Sequence, residues 1–135
     1  MKNIGDKIGK YEITNNDPNR KGGNGIVYFV KHSKKNYALK YVVFNNKMKY
    51  NLMYSEKAQK QLNRLDNSMK SKILKYIDQN LFHTDNPKKF GKALRYNLKG
   101  FWRYRVENYR IIAKIEKDEL VILIVQIDKK DKIYI

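Results

Sequence analysis

Apolar residues recur every four positions at Met69, Ile73, Ile77 and Leu81. That spacing draws one continuous stripe along a helix beginning near Asn67. Just upstream, Ala58, Leu62 and Leu65 line one side of a shorter helix from Glu56 to about Leu65, with Ser55 as its N-cap. The two helices form a hairpin, and the weak alternation of Lys49 to Tyr54 predicts a strand leading into it. Asp85-Asn86-Pro87 breaks the helical pattern. Beyond it the period changes to two, with Leu94 to Leu98 read as a short strand. Trp102, Tyr104 and Val106 then fall on one strand face and Arg103 and Arg105 on the other. Glu107-Asn108 reads as a turn and Tyr109 to Ile115 as the return strand, which brings Arg110 beside the other two arginines. Lys117-Asp118 turns the chain into Leu120 to Val125, a run without alternation, as expected of a central strand covered on both faces. The predicted fold class is α+β: an N-terminal helical hairpin packed on a twisted, mainly antiparallel four- to five-stranded sheet, whose opposite face is free for a ligand.

Ahead of this unit, a strand-like run from Tyr37 to Phe44 gives way to the polar Asn45-Asn46-Lys47. A boundary at this point divides the chain into a short β-rich extension, 1–47, and a second unit, 48–135. In the extension, Lys21-Gly22-Gly23-Asn24-Gly25-Ile26-Val27-Tyr28 followed by Tyr37-Ala38-Leu39-Lys40 resembles the start of a protein kinase, a glycine-rich loop and then an Ala-x-Lys strand. Arg20 stands where the first glycine of that loop is usual. Nothing downstream supplies the catalytic-loop Asp or the Asp-Phe-Gly, so the expectation is a remnant of about three strands, unstable without the rest of its lobe.

Charge narrows the partner. Thirty Lys and Arg against 13 Asp and Glu leave the 135-residue chain at +17, a balance that favours a polyanion and makes binding salt-dependent. The absence of cysteine excludes disulfides, thiolate chemistry and cysteine zinc sites. His32 and His83 are too few and too far apart to suggest a metal centre. No apolar run approaches the roughly 20 residues of a membrane span, and Met1-Lys2-Asn3-Ile4-Gly5 leads into no secretory segment. A cytoplasmic protein with no membrane partner is the expectation. Arg103, Arg105 and Arg110 on one face would then grip a phosphate and stabilise charge developing on it. Trp102 and Tyr109 read as core, and Lys57, Lys60, Arg64, Lys70, Lys72 and Lys75 as solvated helix charges.

Residues 48–135 resemble the RelE/ParE superfamily of bacterial toxins. The resemblance is carried by Met48-Lys49-Tyr50, Tyr54-Ser55-Glu56-Lys57-Ala58, Asn86-Pro87 before a Gly-Lys-Ala-Leu segment, Gly100 to Val106, Asn108-Tyr109-Arg110 and the ending Lys130-Asp131-Lys132-Ile133-Tyr134. It implies a type II toxin, either a ribosome-dependent, metal-independent messenger RNA endonuclease like RelE or a DNA gyrase inhibitor like ParE. A degenerate toxin that only binds its antitoxin is a third reading. For the nuclease, it implies that Arg103 and Arg105 orient the phosphate, Arg110 and Lys130 stabilise charge and Tyr134 stacks on a base or contacts the leaving group. Arg95, Lys99, Lys129 and Lys132 would contact RNA. Arginine is a poor general base, and Asp128-Lys129-Lys130 replaces the Gly-His-Arg ending of many relatives, so the base stays open. No cofactor is implied. The implied partners are a cognate antitoxin, in a possible hetero-oligomer, and the ribosome with its messenger.

Overall fold

Two short polar side chains start the helices. The Ser55 hydroxyl accepts from the Ala58 N–H at 3.1 Å and the Asp66 carboxylate from the Met69 N–H at 2.8 Å, each satisfying a donor that the first helical turn leaves open. The computed structural model describes residues 5, 7–8, 10–15, 21–22, 25–41, 50–82 and 84–133. In chain order, the strands ahead of the helices are β1 (Lys7–Ile8), β2 (Tyr11–Asn15), β3 (Lys21–Gly22), β4 (Gly25–His32), β5 (Lys35–Tyr41) and β6 (Asn51–Ser55). The helices α1 (Glu56–Arg64) and α2 (Asn67–Asn80) follow, then β7 (Lys92–Ala93), β8 (Phe101–Val106), β9 (Tyr109–Glu116) and β10 (Val121–Lys129).

Among the described residues these strands make one sheet in the order β1-β2-β4-β5-β6-β10-β9-β8-β7, with β3 paired to β4. Two features of the expected fold class are corrected. The helical hairpin is not N-terminal to the sheet but sits mid-chain after β6, the strand predicted over Lys49 to Tyr54, and the sheet is larger and mixed: β6 runs parallel to β10 because both helices and the β8–β9 hairpin intervene between them. The extension joins the same sheet, with β5 antiparallel to β6 in the register Tyr37↔Ser55 and Ala38↔Tyr54. It thereby covers an edge that would otherwise present unpaired backbone groups. In the glycine-rich segment β3 pairs with β4, Gly22 opposite Gly25; Arg20, Gly23, Asn24 and the boundary at Met48 lie outside the described residues.

The segment read as a strand from Leu94 to Leu98 is also different. Pairing with β8 ends where the Leu94 N–H donates to Phe101 O at 2.9 Å. The chain then curls into a 3₁₀ turn at Tyr96–Leu98, with Tyr96 at φ 61°.

Each face of the sheet has its own core. Ala58, Ile73 and Ile77 of the helices pack on Leu52, Tyr104, Ile111, Ile122 and Ile124, and each fully buried aliphatic side chain contributes roughly 1.5–3 kcal/mol. On the opposite face Tyr11, Ile13 and Val30 of the extension cover Met53, Val121 and Leu123. A polar clasp closes this second core. Tyr11 donates its hydroxyl proton to Glu116 Oε1 at 2.5 Å, Lys10 Nζ lies 2.9 Å from Glu116 Oε2, and the Lys10 N–H donates to Glu119 at 2.9 Å. The face expected to be wholly free is therefore covered at the Glu116 end of β9.

Beyond Ile124 the register of β10 shifts, where β6 has ended. Helix α1 takes over the exposed edge of β10: Ser55 Oγ donates to Val125 O at 3.2 Å, and Gln61 Oε1 accepts from the Ile127 N–H at 2.7 Å. These bonds hold the end of β10, from which Lys130 departs.

Candidate functional site

At the other end of β9 the sheet face is cationic. Glu107 takes the left-handed conformation (φ 56°) that the tight β8–β9 turn requires, and the resulting register sets Arg105 opposite Arg110 and Arg103 opposite Ile112. All three arginines thus emerge from one face. The fourth cation arrives from a different element. The strand pair ends at Lys129↔Tyr109, the chain enters a 3₁₀ turn at Lys130–Lys132, and the Lys130 N–H donates to Asn108 O at 2.8 Å. Lys130 is tied in this way to the turn of the arginine hairpin.

Arg103, Arg105, Arg110 and Lys130 line one cavity of about 380 Å³ with Leu94, Ile112 and Ile133. Three features describe its electrostatics. Arg110 Nη1 donates to Glu107 O at 2.9 Å and to Tyr109 O at 2.8 Å, which fixes its guanidinium plane. Its pKa is lowered by partial burial first and then by Arg105 and Arg103, although an arginine so shifted is still a cation at neutral pH. Among the described residues the buried Arg103 Nε has no hydrogen-bond partner. Like charges directly across an antiparallel pair oppose folding, and an unpaired buried donor adds to that cost. An anion held among the arginines would offset the repulsion, and the fork geometry of guanidinium suits a phosphate.

None of the other expected RNA contacts lines this cavity. Arg95 is exposed at the start of the 3₁₀ turn, directly after Leu94, and Lys99 is exposed at its end. Lys129 and Lys132 are exposed on either side of Lys130. Tyr134 lies outside the described residues. Trp102 is half-buried against the helix-side core, with Lys88 Nζ 5.5 Å from its ring centroid, and Tyr109 packs on the same core. The apolar floor of Leu94, Ile112 and Ile133 was not read from the sequence. Ile112 had a usable signal, since period two from Arg110 places it on the arginine face; Leu94 and Ile133 had none.

Comparison with known proteins gives the following. Residues 52–134 match the family model described as the ParE toxin of the type II toxin-antitoxin system, parDE. No curated protein matches the chain. Among solved structures, the fold is similar to a chain of the RelBE2 toxin-antitoxin complex from Mycobacterium tuberculosis, with a TM-score of 0.55 and 22% identity over 61% of this chain and 99% of that one. Two further likenesses have TM-scores of 0.49: the intact E. coli RelBE complex, 15% identical over 58% of this chain and 93% of that one, and the isolated E. coli RelE toxin, 16% identical over 58% and 81%. With its helical hairpin, its mixed sheet and a family match spanning β6 to the end of β10 and beyond, the chain belongs to the ParE toxin family of type II toxin-antitoxin systems, within the RelE/ParE superfamily.

Proposed function

We propose that this toxin is a metal-independent endoribonuclease that cleaves translated messenger RNA in the ribosome. The observation that supports this reading is the convergence of Arg103, Arg105, Arg110 and Lys130 on one cavity of phosphate-accepting size. In the proposed reaction a 2′-hydroxyl attacks the adjacent phosphorus. The P–O2′ bond forms as the P–O5′ bond breaks, leaving a 2′,3′-cyclic phosphate, and the proton of the 2′-hydroxyl ends on the departing 5′-oxygen. Arg103 and Arg105 clamp the non-bridging oxygens, while Arg110 and Lys130 stabilise the charge that grows on them in the transition state. The ribosome holds the messenger in line for the attack. Proton removal falls outside the three arginines, which stay protonated. Lys130 is the lysine lining the cavity, and Tyr134 follows it by four positions as the candidate for base stacking or leaving-group contact. Arg95, Lys99, Lys129 and Lys132, exposed outside the cavity, supply non-specific attraction. The antitoxin neutralises the groove with an acidic or amphipathic segment, in a toxin-antitoxin hetero-oligomer.

Translation of a reporter messenger with purified toxin tests this. Cuts within translated codons are expected, and Arg110→Ala should reduce the rate about 10²- to 10³-fold, the loss usual for one transition-state donor. A messenger left whole on active ribosomes, where a control nuclease cuts, rules the reading out. The match to the ParE family model favours a second reading, inhibition of DNA gyrase. Blocked supercoiling with the messenger intact would select it.

A further inference from the structure

The arginines of β8 border a second cavity, which the phosphate chemistry leaves unexplained. Arg103 and Arg105 also line a space of about 330 Å³ at the outer edge of the sheet, together with Tyr76 of α2 and Phe90, Gly91 and Lys92 of the loop leading into β7. Its size is at the lower end of small-ligand sites, roughly 300–1,000 Å³. The space exists because β7 pairs only with Trp102 and Arg103, so on the side away from β9 the rest of β8 beyond Arg103 has no strand alongside it among the described residues.

Phe90 is the unusual member. It is 53% exposed, in a loop whose neighbours are fixed from within. Tyr104, fully buried, donates its hydroxyl proton to Pro87 O. A Cβ on Gly91 would stand 2.7 Å from Tyr104 Cε1 and 3.2 Å from Trp102 Cε3, so the loop is seated against both rings. That seating turns Phe90 outward when an apolar side chain would ordinarily be drawn in. The Lys89 ammonium lies 5.2 Å from the Phe90 ring centroid, and Lys92 is exposed beside it. An aromatic face among cations, separated from an anion cavity only by two arginine side chains, has the composition of a single-strand nucleic-acid site: charge for the backbone and a ring for the base.

We propose that this second cavity is a base subsite, in which Phe90 stacks on the nucleotide next to the phosphate gripped by Arg103 and Arg105, with Tyr76 as the inner wall and Lys92 on the neighbouring phosphate. The inference rests on the RNA reading of the arginine cavity. An acidic protein segment is the competing occupant: its carboxylates answer the cations but leave the exposed ring without a partner, whereas a nucleotide engages both.

Equilibrium binding of a labelled single-stranded RNA of about six nucleotides to the full chain tests the subsite without requiring cleavage. Phe90→Ala should weaken binding roughly fivefold to a hundredfold, the range for loss of one base–aromatic stack. The slope of log K against log salt should stay the same, because no charge is removed, and Phe90→Tyr should restore affinity. Lys92→Ala should instead flatten that slope by about 0.7. An RNA with an abasic site at the stacked position should bind wild type no better than intact RNA binds Phe90→Ala. Salt-dependent binding that is indifferent to Phe90→Ala overturns the subsite and leaves the RNA reading standing. Failure of RNA to bind, with an acidic peptide captured in its place, overturns both.

Discussion

Arg105 and Arg110 face each other across β8 and β9 in a register that opposes like charges. At the scale of single residues this is a local cost which, under the proposed function, is tolerated for a ligand, as is common where function and stability compete. Replacing Arg105 with glutamine keeps a long polar side chain and removes the repulsion. The expected outcome is a thermal midpoint equal to or slightly above that of wild type at low salt, from about 0.2–1 kcal/mol of relieved repulsion, with weaker RNA binding. A clear loss of stability in a low-salt melt would mean that Arg105 serves the fold. The arginine trio was legible because period two and a short turn suffice to bring three positions onto one face. Lys130 was legible only through the family resemblance, since its place depends on a bond from its N–H to Asn108 O that no local pattern announces. Ile112 could have been read with the arginines; Leu94 and Ile133 reach the cavity by loop and turn geometry alone.

Among the elements, the helices were the most readable, because Ser55 announces the start of the first and spacing announces the inner face of both; the cap of the second was not read. Asn67–Asn80 begins one residue after Asp66, which caps it. The connection from Pro87 to Phe101 was the least readable. Which of its residues pair with β8 is decided by where the loop can seat, and Gly91 decides that. Gly91 packs where any Cβ would meet the Tyr104 ring at 2.7 Å, and that ring cannot yield easily, being buried and tethered through its hydroxyl to Pro87 O. Gly91→Ala should therefore destabilise the protein by about 1–3 kcal/mol, the usual cost of overpacking. A denaturant melt measures this directly, and the same substitution should displace Phe90. At Gly100 the reason differs: φ is +97° with open space around it, so Gly100→Ala tests backbone strain, at about 1 kcal/mol or more. Equal stability of both variants with wild type would remove the loop's claim to a fixed seat.

At the scale of the whole molecule the sequence left the place of the extension open. The polar break before Met48 and the kinase-like glycines marked a boundary without saying whether the extension docks, because sheet continuation between β5 and β6 depends on long-range pairing that periodicity does not carry. We propose that the extension and the toxin unit fold together. A chain beginning at Met48 would re-expose Met53, Val121 and Leu123, worth about 4–9 kcal/mol of burial, and would leave β6 as an open edge. It should melt lower and self-associate on a sizing column; a monomer with the wild-type midpoint would show the two parts to be independent. The clasp that closes this interface gives a second, gentler test. Burial first, and then its bond to Glu116, raise the Tyr11 pKa far above the ordinary tyrosine value, and the bond to Glu116 raises that of Lys10. A group whose folded pKa is raised gives its full stabilisation below its unfolded pKa and loses it as pH rises toward the folded value. The contribution is thus complete at neutral pH and should decline from about pH 10, the unfolded tyrosine value. Tyr11→Phe should cost about 1.5–3 kcal/mol at pH 7, the range for a hydrogen bond to a charged group, and should flatten the decline above pH 10. Stability that falls as steeply with alkali in Tyr11→Phe as in wild type would place the alkaline transition elsewhere, on partly buried Tyr54 or buried Tyr104, whose pKa values desolvation also raises.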